Sequence, residues 1–163
     1  VSSAVGSGIA DVRGDGPLVD GAGAQALLRA AVDAGVMAFV MESALGVGGD
    51  PASPLATVFD LAIGPVQRAK AETEAALRDA PLRHTILRPG VLTNGLRTDR
   101  VTVARPGARL WGAVSRADVA RLLAAAPVTP AAADETFEVV SVPRFRDRAL
   151  AVDWQLPRQE TGN

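Results

Sequence analysis

Ser43 and Lys70 are the residues of this sequence whose types and positions best suggest chemistry. Ser43 follows an apolar run, and its hydroxyl could hydrogen-bond a ligand oxygen or could simply terminate a strand. Lys70, the one lysine of the chain, lies in an Ala/Glu-rich stretch. Its ammonium could hold the hydroxyl groups of a ligand, or it could be a solvated charge that pairs with Glu74 at i,i+4 spacing.

Other chemistries lack the residues that they need. The sequence has no cysteine, which excludes disulfides, thiolate zinc sites and a cysteine nucleophile. The one histidine, His84, lies in an apolar segment, so we expect a buried or edge side chain rather than a catalytic base, and we predict no metal site. Glu72 and Glu74 are typical of a solvated helix face. Ser115, followed three residues later by Asp118, resembles a capping box, which favours a helix start over catalysis.

The candidate residues lie among alternating strands and helices. Helical spacing of apolar residues predicts a helix over residues 20–34, with Gly35 as its C-terminal cap, and the periodicity of residues 55–79 is interrupted at Gly64 and Pro65. Alternation of this kind predicts an α/β fold with a mostly parallel sheet, which binds ligands outside the carboxyl ends of its strands. The predicted strands cover residues 1–5, 36–41, 83–88, 101–104 and 136–142, and further helices cover residues 66–79 and the segment that begins at Ser115.

Composition bounds the class of protein. With 163 residues, 48% of them hydrophobic and 21% charged, the chain is typical of one soluble globular domain. The formal net charge of −1 comes from interspersed charges, so we expect neither nucleic acid nor a membrane as a partner. No apolar run reaches the roughly 18–20 residues that span a bilayer, and the start lacks the basic flank of a signal peptide. A cytoplasmic location is therefore the expectation.

Several segments, in the correct order, resemble the atypical short-chain dehydrogenase/reductases, the NAD(P)H-binding proteins of the NmrA-like and flavin-reductase-like kind. Lys70 with Glu74 is similar to the helix lysine of this family and the glutamate after it. The other matching segments are residues 3–6 (SAVG), 35–40 (GVMAFV), 43–46 (SALG), 84–92 (HTILRPGVL, similar to the family pattern YTIxRPGxL) and 114–120 (VSRADVA, similar to ISRxDVA).

The resemblance implies a Rossmann-like domain over residues 1–142 and a nicotinamide cofactor, with NADP favoured over NAD. Residues 143–163, which are rich in Arg, Pro and polar residues, are predicted to form a C-terminal extension anchored by Trp154 and Leu156. Ser43 would orient the acceptor and Lys70 would hold the ribose, and both are the implied catalytic residues. The implied cofactor-binding residues are Ala4, Val5, Gly6, Ser43, Lys70, Pro89, Gly90 and Val91. The implied substrate-binding residues are Leu45, Gly46, Leu92, Thr93 and Asn94. For Arg88, pairing with a carboxylate is favoured over a role in the site.

The sequence departs from the family pattern in two places. Nothing in it matches the glycine-rich G-x-x-G-x-x-G turn that holds the pyrophosphate, so we expect the N-terminal strands of the domain to be missing. Redox-active members often place a tyrosine four residues before the lysine, but here that position is Val66, and the chain has no tyrosine. Flavin-reductase-like members dispense with this tyrosine.

Three functions remain open from the sequence. The first is an NAD(P)H-dependent reductase of a small organic acceptor. The second is a non-catalytic dinucleotide-sensing module, which Val66 favours, and the third is an inactive truncated form. A small-molecule substrate is the expected partner, together with a homo-oligomer or a partner protein.

Overall fold

A computed structural model describes residues 1–4, 6, 19–47 and 54–157, without the side chains of residues 54–63. Val5, which was expected beside the cofactor, lies outside these residues. The strands are β1 (Ser2–Ser3), β2 (Ala38–Glu42), β3 (Arg83–Pro89), β4 (Val91–Thr93), β5 (Thr102–Ala104), β6 (Ala113–Ser115) and β7 (Glu135–Val140), and the α-helices are α1 (Ala24–Asp33), α2 (Pro54–Asp79) and α3 (Arg116–Ala125).

The main sheet confirms the predicted α/β fold. Its five strands lie in the order β1-β2-β3-β7-β5, and all neighbours pair in parallel except β5, which runs antiparallel to β7. The parallel strands β1, β2 and β3 therefore end at the same edge of the sheet, where the chain passes Ala4, Ser43 and Gly90. This edge is the place where a Rossmann-like sheet binds its ligand.

Helices cover both faces of the sheet. Phe39 and Met41 of β2 point to the core formed with α1 and α2, whereas Val40 points to the core formed with α3. Each strand of such a sheet is buried on both sides, which explains why β2 appears in the sequence as a nearly continuous apolar run. In the part of the chain that the structure describes, no helix is long and apolar enough to cross a membrane.

Helix α1 ends as the sequence predicts. Gly35 adopts a φ of 66°, its N–H donates to the Val32 carbonyl at 2.9 Å, and the Val36 N–H donates to the Ala31 carbonyl at 3.0 Å. This pair of hydrogen bonds is the Schellman motif, in which glycine takes the left-handed position without strain. A π-helical turn, Val19–Gly23, precedes α1 and brings Asp20 into the interior.

The predicted break at Gly64 and Pro65 is wrong, because α2 runs through both residues. A proline inside a helix removes one hydrogen bond and costs about 3 kcal/mol. The second half of α2 offsets this cost by packing Leu77 and Ala76 against the core of the sheet. Tertiary packing here outweighs the local preference of the sequence.

Two structural features beside the main sheet differ from the sequence prediction. Strands β4 and β6 form a separate parallel pair. The two backbones can approach because both contact residues are glycines: a Cβ on Gly90 would overlap the Gly112 carbonyl. At the C-terminus, Trp154 packs edge-to-face on Phe137 with ring centroids 5.5 Å apart, as expected of an anchor. Leu156 is 49% exposed, so the prediction that it anchors the segment is wrong.

Candidate functional site

A cleft of about 650 Å³ lies at the carboxyl ends of β1, β2 and β3, between α2 on one face of the sheet and α3 on the other. It brings together seven residues that the sequence singled out, namely Ala4, Gly6, Ser43, Lys70, Pro89, Gly90 and Leu92. Glu42, Ala44, Arg116, Val119, Ala120 and Leu123 complete the lining. The cleft has the size and position of a site for a small organic ligand.

The predicted substrate residues other than Leu92, and the predicted cofactor residue Val91, lie around this cleft rather than in its lining. Leu45 packs against Leu110 and Val140. Val91 and Thr93 lie on β4 and are exposed, and Gly46 belongs to the turn after Ser43. Asn94 is exposed, but its Oδ1 accepts a hydrogen bond from Nη1 of the cleft residue Arg116 at 2.8 Å.

Lys70 forms a buried ion pair with Asp20. Its Nζ lies 2.6 Å from Asp20 Oδ1, and the side chains of Lys70 and Asp20 are only 10% and 0% exposed. The same Nζ lies 3.5 Å from the Glu42 carbonyl oxygen. The interpretation of Lys70 as a solvated charge paired with Glu74 is therefore wrong, because the ammonium is held in the cleft by a residue 50 positions earlier in the chain.

The polypeptide around Asp20 is fixed to α2. The Thr73 hydroxyl is 2.9 Å from the Asp20 backbone carbonyl, to which it donates, and it also lies 2.9 Å from the Ala69 carbonyl. Lys70 and Thr73 are three residues apart, so they lie on the same face of the helix and together hold the turn that carries Asp20. Sequence reasoning did not identify Asp20, because nothing local distinguishes it from a helix-starting aspartate.

Glu74 is the centre of a second buried charge cluster. Arg88 donates to it from Nε at 2.9 Å and from Nη2 at 2.6 Å, and Arg78 donates at 2.7 Å. Burial alone would raise the pKa of Glu74, but hydrogen bonds from Arg88 and Arg78, the charge of Arg88 and the nearby Ser43 hydroxyl hold it below its ordinary value. The prediction that Arg88 pairs with a carboxylate is confirmed, whereas the prediction that Glu74 faces solvent is wrong.

The Ser43 hydroxyl is directed into this environment with no hydrogen bond to any described residue. Its side chain is buried in the wall of the cleft, and the oxygen faces the Glu74 carboxylate closely enough to influence its pKa without good hydrogen-bonding geometry. The backbone N–H of Ser43 is bound to the Leu87 carbonyl at 2.7 Å. A buried hydroxyl without a partner is rare in proteins, and a ligand oxygen in the cleft would satisfy it.

Glu42 adds a carboxyl group that sequence reasoning did not single out. It is the last residue of β2, and its side chain is half-buried beside the charges of Lys70, Arg116 and Asp20. Burial raises the pKa of Glu42, Asp20 adds to the rise, and the positive charges of Lys70 and Arg116 oppose it. The available signal was a single acidic residue at the end of an apolar strand.

Asp118 fixes the loop beyond β4 to the start of α3. The Ser115 hydroxyl accepts a hydrogen bond from the Asp118 N–H at 3.0 Å, which confirms the predicted helix cap. The Asp118 carboxylate accepts hydrogen bonds from the Thr98 N–H and hydroxyl, both at 2.8 Å, and from the Asp99 N–H at 2.9 Å. Burial by itself would raise the pKa of Asp118, but these hydrogen bonds outweigh it and hold the pKa below its ordinary value.

His84 lies far from the cleft, near the amino end of β3. Its Nδ1 is 3.3 Å from Asp134 Oδ1. Burial lowers the pKa of His84, with a smaller contribution from Arg78, whereas Asp134 raises it. The His84 side chain is only 11% exposed, so it is largely buried on a central strand, and burial is one of the two placements that the sequence analysis expects.

Comparison with known proteins gives the same fold and a cofactor class. The model of a family described as NAD(P)H-binding matches residues 1–130. A Bacillus halodurans protein provisionally described as an NAD-dependent epimerase/dehydratase is 26% identical, with a TM-score of 0.70 over 86% of this chain. ChuY, an anaerobillin reductase from Escherichia coli O157:H7, is 23% identical, with a TM-score of 0.70 over 88% of this chain.

A short-chain dehydrogenase/reductase from Veillonella parvula, solved in complex with NADP, is 20% identical with a TM-score of 0.63 over 77% of this chain. The present chain spans 63%, 64% and 60% of these three structures respectively, which is less than two thirds of each. None of the curated proteins matches the sequence significantly.

Proposed function

Because the chain belongs to the NAD(P)H-binding family, we propose that it is a reductase that uses a nicotinamide dinucleotide to reduce a small organic acceptor in the cleft beside Ser43 and Lys70. The observation that carries the proposal is the buried Lys70–Asp20 pair next to the unpartnered Ser43 hydroxyl. Reductases occur among the solved structures that share this fold.

The residues of the cleft fit the nicotinamide and ribose half of such a cofactor. Lys70 presents an ammonium with donors beyond its contact to Asp20, which suits the two ribose hydroxyls. Ala4 and Gly6 line the same cleft with backbone and small side chains, so a sugar can approach closely. When bound, the reduced cofactor supplies a hydride, and everything else that the reaction needs must come from the protein or from water.

Each predicted residue has a role in this proposal. Lys70 holds the ribose, and Asp20 fixes the position of its ammonium. Ser43 donates a hydrogen bond to the acceptor oxygen or nitrogen and so orients the acceptor. Pro89, Gly90 and Val91 border the cofactor ring, and residues 90–95 with Leu45 and Gly46 shape the acceptor pocket. The apolar side chains of Leu92, Val119 and Leu123 exclude water from one side.

The proposal requires both nucleotide binding and turnover. We expect NADPH or NADH to raise the unfolding midpoint of the chain, and we expect NADPH oxidation in the presence of flavin, quinone or carbonyl acceptors. The Ser43→Ala variant should lose turnover, because it removes the hydroxyl that orients the acceptor. Ser141→Ala is a matched control, since Ser141 is a buried serine that donates to the Ala113 carbonyl outside the cleft.

A dinucleotide-sensing module is the second candidate, and Val66 is the observation that favours it, because the catalytic tyrosine of many family members is replaced there. A nucleotide-induced rise of the unfolding midpoint without turnover of any acceptor would support sensing over reduction. The preference for NADP and the association with a second copy or a partner protein stay predictions from the resemblance. Comparing the midpoint shifts with NADH and NADPH tests the first, and sedimentation of the purified chain tests the second.

A further inference from the structure

A reductase of this kind needs a proton donor that the family pattern does not supply. Reduction of a C=O or C=N bond adds a hydride to carbon and a proton to the heteroatom, and the proton is commonly given by a positioned side chain. The position of the usual tyrosine is Val66, and the chain has no tyrosine anywhere. Among the described residues that line the cleft, only Glu42, Ser43, Lys70 and Arg116 carry a proton on a polar side-chain atom.

Three of these four residues are poor donors. Arg116 keeps its proton at any working pH. Lys70 is held at 2.6 Å by Asp20, so loss of its proton would leave a fully buried carboxylate without a counter-charge. Ser43 can pass on a proton only if another group replaces it, because a serine hydroxyl does not titrate near neutral pH.

Glu42 has the features that a proton donor requires. It ends β2 directly before Ser43, and side chains alternate along a strand, so the two residues flank the same cleft from opposite faces of the sheet. Its carboxyl group accepts no hydrogen bond from any residue in the described ranges. Burial favours its protonated form, with Asp20 acting in the same direction and Lys70 and Arg116 acting against it.

We infer that the Glu42 carboxyl donates the proton in the proposed reduction, and that the acceptor is a molecule with a polarised C=O or C=N bond. This inference rests on the proposed function. A bound reduced nicotinamide dinucleotide would supply the hydride with its electron pair, so that one of its C–H bonds breaks as the new C–H bond of the acceptor forms. The electron pair of the acceptor π bond takes the Glu42 proton and forms the O–H or N–H bond, and the carboxyl O–H bond breaks to leave a carboxylate. Water then returns a proton to Glu42, so the acceptor is reduced by two electrons while the dinucleotide is oxidised.

The first test is kinetic and compares Glu42→Gln with Glu72→Gln, a control on the exposed face of α2. We expect Glu42→Gln to lower kcat by about 100-fold or more, the usual contribution of a general acid, without changing the dissociation constant of NADPH. In the wild-type chain kcat should fall as pH rises through the pKa of Glu42, because the acid must be protonated. Glu42→Asp should keep part of the activity and the pH dependence, whereas Glu42→Gln should lose the pH dependence.

The second test reads the carboxyl group directly. In protein labelled with ¹³C-glutamate, the signal that disappears in Glu42→Gln identifies Glu42, and its titration should give a pKa above the ordinary glutamate value of 4.5. Asp20→Asn should lower the pKa of Glu42, and Lys70→Met should raise it. These shifts need no turnover, so they remain measurable in any variant that folds.

The outcomes separate the two proposals. Unchanged kcat and pH dependence in Glu42→Gln, or a Glu42 pKa at or below the ordinary value of 4.5, would overturn the role of Glu42 and leave the reductase intact. Nucleotide binding by the wild-type chain without turnover of carbonyl or imine acceptors would overturn the reductase and Glu42's role with it. Loss of kcat together with an elevated Glu42 pKa supports the inference.

Discussion

Breaking the Asp20–Lys70 pair should destabilise the protein strongly, even though Lys70 lines the candidate cleft. The two side chains are 0% and 10% exposed and their charged atoms are 2.6 Å apart. Removing one partner of a buried pair leaves an uncompensated charge and costs about 3–5 kcal/mol. Since a domain of this size unfolds with about 5–15 kcal/mol in total, Asp20→Asn or Lys70→Met should lower the unfolding midpoint by about 6–20 °C.

Urea unfolding followed by circular dichroism gives the free energies for the two single variants and for the double variant Asp20→Asn with Lys70→Met. We expect the double variant to be more stable than the sum of the single losses predicts, because it leaves no isolated charge. Arg105→Met is the control, since Arg105 pairs with Glu135 on the surface and its loss should cost less than about 1 kcal/mol. If each single variant lost less than about 1 kcal/mol of unfolding free energy and the two losses simply added in the double variant, the reasoning would be refuted. Lys70 would then be a solvated charge rather than part of a buried pair.

Two further predictions concern the cluster below Ser43 and the glycine contact beside the cleft. Because the folded-state pKa of Glu74 lies below its ordinary value of 4.5, its ionised form stabilises the fold above that pH, and this stability is lost as the pH falls from 4.5 through the folded-state pKa. Urea unfolding at several pH values should therefore show that the free energy of unfolding falls less between neutral and acidic pH in Glu74→Gln than in the wild type. An equal fall in the two proteins would contradict the assigned ion pairs. Gly90→Ala should destabilise the fold by more than about 2 kcal/mol, because its Cβ would meet the Gly112 carbonyl. Gly64→Ala in α2 should stabilise the fold by about 0.5–1 kcal/mol, because alanine favours helix over glycine. Thermal melts that give the two variants the same midpoint would count against the described packing.

The main sheet and the location of the cleft were predictable from the sequence. Hydrophobic runs such as residues 36–41 and 83–88 mark buried parallel strands, and the carboxyl ends of parallel strands meet at one edge of a sheet. Ser43 and Pro89 follow two neighbouring strands, so their common location requires no tertiary information. Lys70 lies near them because it is on α2, the helix that connects β2 to β3 along one face of the sheet.

The partners of the charged residues were not predictable. Glu74 lies at i,i+4 from both Lys70 and Arg78, and this spacing favours an exposed ion pair. In the fold Glu74 instead points inward and pairs with Arg88 as well as Arg78, and Lys70 pairs with Asp20. These pairings depend on how the helix rotates about its axis against the sheet. Periodicity gives that rotation only approximately, and an error of one position exchanges a solvated residue for a buried one.

The continuity of α2 and the β4–β6 pair were missed for a related reason. A proline disfavours helix locally, and only the burial of the following turns explains why α2 continues past Pro65. Strands β4 and β6 have three residues each and pair because Gly90 and Gly112 allow their backbones to approach. Neither short strand has enough alternation to be recognised in the sequence.

The central claim is that the Lys70 cleft binds a nicotinamide dinucleotide, and the single lysine of the chain allows it to be tested directly. Lysine labelled with ¹³C at Cε gives one side-chain signal, that of Lys70, in the NMR spectrum of the full chain. If the claim is correct, NADPH or NADH will shift this signal in a saturable titration, with a dissociation constant equal to the one from nucleotide-dependent thermal unfolding. A Lys70 signal that stays unchanged while the nucleotide stabilises the fold, or no effect of either nucleotide on the signal or the midpoint, would contradict the account.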